Sequence, residues 1–148
     1  MAETAMAPHA TAPIPEPVQD WREWLPENAR SFRRTLLLRR DGARLHAGSR
    51  PDGADLDRIA HKIAFLPTSG VPERGAQMAL AAGRFTVGSV LEEQADTGRG
   101  VGADSAAVPP IDHESAFEAG LALILDGLTC RIGALISLVT VHAASRSD

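Results

Sequence analysis

The 148-residue sequence is 44% hydrophobic, which predicts one domain with a single packed core. Its net charge of −4 argues against direct contact with nucleic acid by this chain, because phosphate binding normally relies on a surplus of lysine and arginine. The single cysteine, Cys130, excludes an internal disulfide, and its apolar helical context predicts inert packing.

The sequence predicts a cytoplasmic protein that does not enter a membrane. Its N-terminus has no basic segment followed by an apolar core and a cleavage site, so it does not resemble a secretory signal. The longest apolar stretch, residues 121–141, contains Asp126 and Arg131, and such charges are costly in a bilayer. This stretch is therefore predicted to be a buried helix.

The chain is predicted to begin with a flexible lead-in at residues 1–19, which are rich in proline and alanine. Such a segment does not form a helix-turn-helix, so we expect this chain to lack its own DNA-binding domain. From Asp20, a capping residue, apolar positions recur at helical spacing as far as Arg39. Pro26 is expected to kink or restart that helix.

Four further helices are predicted after it. A turn at residues 41–42 leads into a short helix at residues 44–47, and a second helix from residue 54 ends near Pro67 and Gly70. Its apolar stripe is predicted to comprise Leu56, Ile59, Ala60, Ile63 and Ala64. A long helix is predicted from residue 72 to residue 94, with Pro72 in its first position.

The last predicted helix follows a loop at residues 96–111, is capped by Asp112 and runs from His113 to about Val141. Its apolar arc is too wide for one neighbouring helix to cover, which predicts a dimer. No segment alternates strongly enough to indicate a strand, so the predicted fold class is all-α.

Several short strings, taken in chain order, form a specific pattern. They are Trp21, Asn28-Ala29-Arg30-Ser31-Phe32-Arg33, Arg40-Asp41-Gly42-Ala43-Arg44-Leu45-His46, Gly48-Ser49-Arg50-Pro51, Ala64-Phe65-Leu66, Phe85-Thr86-Val87-Gly88, Val90-Leu91-Glu92-Glu93-Gln94, Ala116-Phe117, Gly120-Leu121 and Gly127-Leu128. Over residues 21–128 this pattern resembles the regulatory domain of the tetracycline repressor family.

The resemblance implies a multi-helix orthogonal bundle of the tetracycline-repressor C-terminal type over residues 20–148. It implies a homodimer in which the two long helices of each copy pair with those of the other copy as a four-helix bundle. It also implies the effector-binding domain of a transcriptional repressor, whose ligand is a small planar drug-like molecule such as the magnesium chelate of tetracycline.

The resemblance also assigns two residues to the metal of that chelate. In the family a histidine imidazole binds the magnesium and a glutamate holds a metal-bound water, and the matching positions are His46 and Glu92. One imidazole is a poor magnesium site by itself, because this ion prefers octahedral oxygen ligands. Ligand and Mg²⁺ are therefore expected to bind together.

The remaining pocket positions implied by the resemblance are Asn28, Phe32, Ser49, Arg50, Pro51, Lys62 and Met78. Asn28 would hydrogen-bond ligand oxygens and Phe32 would pack on the ligand's rings. The segment from Ser49 to Pro51 would be an elbow that moves on binding. Lys62 departs from the family pattern, which usually has glutamine there, and Arg84 stands where a histidine is common.

Alternative interpretations stay open. His46 by itself is typical of a polar turn residue, and Glu92 of a solvated helix end. The departures at Lys62 and Arg84 would also fit a ligand-independent dimerisation module that forms heterodimers with a full-length paralogue and sequesters it. An enzyme is not predicted, because no nucleophile stands beside a base and no paired acids are found.

Overall fold

The computed structural model of the chain describes residues 20–50, 52–68, 70–71, 73–98 and 109–145. Five α-helices lie in these ranges and no strand does, which confirms the predicted fold class. The helices are α1 (Trp21–Leu37), α2 (Gly42–Gly48), α3 (Gly53–Thr68), α4 (Glu73–Gly98) and α5 (His113–Ala144). The predicted lead-in at residues 1–19, with the expected absence of a DNA-binding unit, lies outside the described residues, as does Pro72.

The first helix begins where the sequence predicts. The Asp20 side chain accepts a hydrogen bond from the Arg22 N–H at 2.9 Å and so caps the helix. The helix is not restarted at Pro26, contrary to that part of the prediction, since α1 continues through it to Leu37. The burial of Pro26 between anchors such as Trp24 and Ala29 offsets the hydrogen bond that a proline cannot donate.

The long helices extend further than predicted. α4 continues through Gly98, so residues 96–98 of the predicted loop are helical, while residues 99–108 lie outside the described part. α5 begins at the predicted cap, where the Asp112 side chain accepts a hydrogen bond from the Ser115 N–H at 3.0 Å. It ends at Ala144, three residues beyond the predicted end.

The core forms where α1 packs against α4 and α5. Trp21, Phe117 and Leu121 are at most 2% exposed, as expected for large side chains that hold a small domain together. The Phe85 ring stacks on Phe117 with centroids 5.6 Å apart. A β-carbon at Gly120 would overlap the Phe85 ring, so glycine permits this close approach of α4 and α5.

A buried cation joins the same three helices. The Arg33 guanidinium on α1 donates to Glu93 on α4 at 2.7 Å and lies 5.3 Å from the centre of the Phe117 ring on α5. The Arg33 side chain is only 12% exposed, and a charge buried to that extent requires a partner. Arg30 makes a second, more exposed pair with Glu118 on α5, with two short N–H···O contacts of 2.9 and 2.8 Å.

The corner between α1 and α2 is attached to α4 by one side chain. The amide of Gln94 donates to the carbonyl oxygens of Leu36 and Arg39, at 3.3 and 2.7 Å, and its oxygen accepts from the Ala43 N–H at 3.2 Å. These backbone groups lie at a helix end and a helix start, where partners within the helix are missing. Gln94 therefore fixes how α2 sits on α4.

The apolar stripe predicted for α3 does not coincide with the residues of α3 that are buried in the structure. Leu56 and Ile63 are 54% and 39% exposed, whereas Phe65 and Leu66 are buried. The hydrophobic periodicity indicated a helix correctly, but it did not identify the face that the neighbouring helices cover.

The far side of α5 carries apolar side chains that no other described helix covers. Leu123, Leu138 and Val141 are 73%, 67% and 68% exposed. Cys130 is also exposed, and the prediction that it packs inside the domain is wrong, because it lies on this uncovered helix. By length and composition alone α5 could cross a membrane, and 12% of its most apolar window is buried within the chain. The prediction of a buried helix over residues 121–141 is therefore wrong for the single chain.

Gly42 should be essential for the turn into α2. A β-carbon there would overlap the carbonyl oxygen of Leu36, and backbone atoms cannot move aside as a side chain can. We expect Gly42→Ala to lower the free energy of unfolding by about 1–3 kcal/mol, measured by denaturant unfolding. Gly48→Ala, in the same helix with nothing near the added carbon, is the matched control; equal unfolding midpoints for the two variants would contradict this interpretation.

Candidate functional site

An inner cavity of about 170 Å³ lies between α1, α3 and α4. Among the described residues that line it, only Asn28 and Lys62 are polar. The lining comprises Trp24, Leu25, Asn28, Ala29, Phe32, Ile59, Lys62, Ile63, Leu66, Leu80, Ala82 and Gly83. On α1 the spacing of four residues from Trp24 to Asn28 to Phe32 aligns these side chains along one ridge. An apolar cavity with a few polar groups at one place is the usual form of a small-molecule site.

An outer, more open cavity of about 450 Å³ adjoins the inner one on the α2 side. The two cavities share Phe32, Leu80 and Gly83 as lining residues. The outer cavity adds His46 and Ala47 from α2, with Arg84 and Val87 from α4. A ligand that extends past Phe32 would therefore contact both cavities.

His46 lies at the edge of the outer cavity, half-buried, with its ring edge-on to Phe32 at a centroid distance of 5.1 Å. Burial lowers the pKa of the His46 imidazole below its ordinary value of 6.5, because the charged form loses solvation. A neutral imidazole carries the lone pair that a metal ion needs. The described residues contain no group of three or more metal-ligating side chains, so His46 could hold a metal only with oxygen atoms supplied by a ligand.

The polar part of the described inner-cavity lining consists of Asn28 and Lys62. The Lys62 ammonium on α3 donates to the side-chain amide oxygen Oδ1 of Asn28 on α1 at 3.2 Å. Both residues were predicted to contact ligand, and both line the inner cavity together with the predicted Phe32.

Of the predicted elbow, Ser49 and Arg50 lie outside both cavity linings. Ser49 ends α2, and its hydroxyl donates to the His46 carbonyl oxygen at 3.0 Å. Ser49 and Arg50 are exposed, and Pro51 lies outside the described residues. Ser49 therefore supports the helix end that carries His46 rather than the cavity wall.

The other two predicted positions lie on α4. Glu92 is exposed and does not line either cavity. Met78 lies in the helix, and its side chain is outside the described part of the structure. A contact between either residue and a ligand stays a prediction.

Comparison with known proteins places this geometry in a family. Residues 14–110 match the family profile described as "Tetracyclin repressor-like, C-terminal domain". The chain belongs to that family. It is the effector-binding C-terminal domain of a TetR-family regulator, and its membership confirms the predicted family and the prediction of a regulator rather than an enzyme.

Individual members of the family are similar to this chain in sequence and structure over most of its length. It is 41% identical to the tetracycline repressor protein class A from transposon 1721 of Escherichia coli, over 88% of this chain and 68% of that protein. The solved structure of TetR(class A) in complex with 5a,6-anhydrotetracycline and magnesium superposes with a TM-score of 0.70 at 42% identity, covering 84% of this chain and 70% of that one. A TetR-family transcriptional regulator from Streptomyces coelicolor is 65% identical, with a TM-score of 0.57, covering 87% of this chain and 66% of that one.

Sequence reasoning missed several residues of this TetR-family site. Leu80 and Gly83 form the wall common to both cavities, and Gln94 orients α2 through its side-chain amide. The small size of Gly83 within a long helix was the one available signal. A glutamine near a helix end carries no comparable signal, because its partners are backbone groups brought close only by folding.

The His46 environment has a measurable consequence. NMR titration of the imidazole nitrogens should give His46 a midpoint below 6.5, because burial favours its neutral form. That preference stabilises the fold fully above pH ~6.5, and the stabilisation is lost as the pH falls through the lower folded-state value. Phe32→Ala should expose the ring and raise the midpoint, while Leu45→Ala, at an exposed position in the same helix, should not. A wild-type midpoint at or above 6.5 would refute this assignment.

Proposed function

We propose that this domain binds a planar, metal-chelating effector of the tetracycline class and regulates transcription as part of a cytoplasmic repressor. The observation that carries the proposal is the pair of connected cavities, with Phe32 between a polar inner end and His46 at the outer end. Support comes from the related class A structure, whose ligand is 5a,6-anhydrotetracycline with magnesium.

The ring system of such a ligand would pack in the apolar cavity. Burying a flat apolar molecule releases about 25 cal/mol for each Å² of apolar surface removed from water. The Asn28 amide would then orient the ligand through its oxygen atoms, and the edge of Phe32 would contact the rings. The inner cavity alone, at about 170 Å³, accommodates only part of a four-ring molecule, so the ligand would also occupy the outer cavity.

Magnesium would enter with the ligand. His46 would supply one nitrogen to the ion, and the ligand's oxygen pair and water would supply the rest, as the preference of Mg²⁺ for oxygen requires. The bound ion supplies positive charge that draws the ligand's oxygens to the α2 side. The neutral form of His46 makes this possible near neutral pH.

We further propose that two copies of this domain form a homodimer through α4 and α5. α5 exposes more large apolar side chains than a solvated helix face usually carries. Glu92 projects from exposed α4 beside Leu91, which is 41% exposed. Its predicted contact with a metal-bound water is not made within the single chain, where Glu92 lines neither cavity.

Effector binding is tested by tryptophan fluorescence. Trp24 lines the inner cavity, so tetracycline with Mg²⁺ should quench or shift the emission, and EDTA should reverse the change. His46→Ala should weaken binding by at least about tenfold, as loss of a metal contact does. The matched control is His61→Ala, at an exposed histidine of α3 that lines neither cavity. An unchanged emission with tetracycline and other planar chelating drugs would exclude this effector class.

Dimer formation is tested by a matched pair of leucines. Leu123 on α5 and Leu38 after α1 are 73% and 74% exposed in the single chain. Leu123→Arg should convert the dimer to a monomer of 15.7 kDa in sedimentation velocity, because an arginine would be buried in the interface without a partner. Leu38→Arg should leave the dimer intact. A wild-type chain that sediments as a monomer at micromolar concentration would contradict the proposed assembly.

The alternative of a ligand-independent partner for full-length repressors stays a prediction. It differs from the proposal in its partner, a full-length paralogue, and in its lack of response to ligand. Heterodimers that form equally well with and without tetracycline, with no fluorescence change, would favour it.

A further inference from the structure

Lys62 is the only lysine in a sequence with a net charge of −4, where every other basic side chain apart from histidine is arginine. It is half-buried and lies on α3 at the wall of an otherwise apolar cavity. In such surroundings the field of an ammonium is screened less than it would be in water. Lys62 therefore contributes more than packing to whatever occupies this cavity.

The hydrogen bond between Lys62 and Asn28 determines which way the amide faces. An ammonium only donates, so the oxygen of the Asn28 amide must face it, as it does at 3.2 Å. The amide nitrogen then points away from Lys62, and it too only donates. The two polar residues of the described lining therefore bring an ammonium and an amide N–H to the inner cavity, with the Asn28 amide oxygen directed at Lys62.

We propose that the inner cavity selects flat aromatic ligands that carry an ionised acidic oxygen, as a carboxylate, phenolate or enolate, at the end facing Lys62 and Asn28. This inference rests on the proposed effector-binding function and specifies its ligand class. A neutral glutamine at position 62 would offer both a donor and an acceptor and no charge. Lys62 thus changes the cavity from one that accepts neutral polar groups to one that favours anions.

The size of the expected preference for an anionic ligand follows from the strength of a hydrogen bond to the Lys62 ammonium. A hydrogen bond to a charged group inside a protein favours the anion by about ten- to a hundredfold in affinity over a neutral analogue. Replacing Lys62 by an uncharged side chain of similar length should abolish that preference. The affinity that comes from burying the ligand's rings should remain.

The test compares 2-naphthoate with 2-naphthamide, which share the same rings and differ in charge. Isothermal titration calorimetry on the full chain at pH 7.5 should show the carboxylate binding at least tenfold more tightly. In Lys62→Gln the two affinities should become similar, with Lys62→Met as a second variant should the first not fold. Arg131→Gln removes one exposed positive charge that lines neither cavity and should retain the preference.

A second measurement uses the uniqueness of Lys62. Reductive methylation with ¹³C-formaldehyde labels only this side chain and the N-terminal amine, and dimethylation keeps the positive charge. The Lys62 methyl resonance should reach half of its maximal shift at a concentration of 2-naphthoate at least tenfold lower than that of 2-naphthamide.

Two results would overturn the proposal. Equal affinities for both probes in the wild type would eliminate charge selection while leaving an apolar effector cavity, and the proposed function would stand. Failure of both probes to bind at millimolar concentration would remove this ligand class, and the tetracycline titration would then decide the proposed function separately. A preference that Arg131→Gln abolishes as fully as Lys62→Gln would show a general charge effect and would also count against the proposal.

Discussion

The attachment of the α1–α2 corner to α4 by Gln94 is the constraint on which the outer half of the site depends. α2 has only seven residues, too few to be stable as an isolated helix. Three hydrogen bonds from one amide fix its start against α4, and the Ser49 hydroxyl completes its end beside His46. These bonds act together with the packing of Ala43 against Leu36 and Val90, and both contributions define the position of His46 relative to the cavity.

The first helix connects the cavities to the rest of the domain. One side of α1 presents Asn28 and Phe32 to the ligand space, and the other presents Arg30 and Arg33 to α5 and α4. A ligand that moves Phe32 would therefore alter the same helix that carries the buried Arg33 contact. Because a packed core shifts between discrete arrangements rather than deforming continuously, such a movement would transmit effector binding to the helices at the proposed dimer interface.

In the proposed function, metal recognition by His46 in the outer cavity would be separate from recognition of the ligand's acidic oxygen by Lys62 and Asn28 in the inner cavity. The outer end offers a single imidazole, kept neutral by burial, which suits a metal that arrives already chelated. The inner end offers an ammonium and an amide nitrogen, which suit an anionic oxygen. The apolar walls between them, with Phe32 in the middle, supply affinity with little selectivity, so the polar groups at the ends would determine which ligand is preferred.

The sequence by itself determined the helices, because capping residues and apolar spacing are local signals. Asp20 and Asp112 cap the helices they were predicted to cap, and the short strings from Trp21 to Leu128 identified the family. It also named Asn28, Phe32, Lys62 and His46, which the fold brings to two adjoining cavities.

Only the tertiary structure decided which faces are covered and which side chains meet. It placed Cys130 and Leu123 on an uncovered face, buried Pro26 within a continuous helix, and brought Gln94 to backbone groups more than fifty residues away in the chain. Hydrophobic periodicity specifies that a helix has an apolar side, but coverage depends on the positions of the other helices. A contact such as that between Lys62 and Asn28 depends on how α3 packs against α1, and no local pattern in either segment encodes that arrangement.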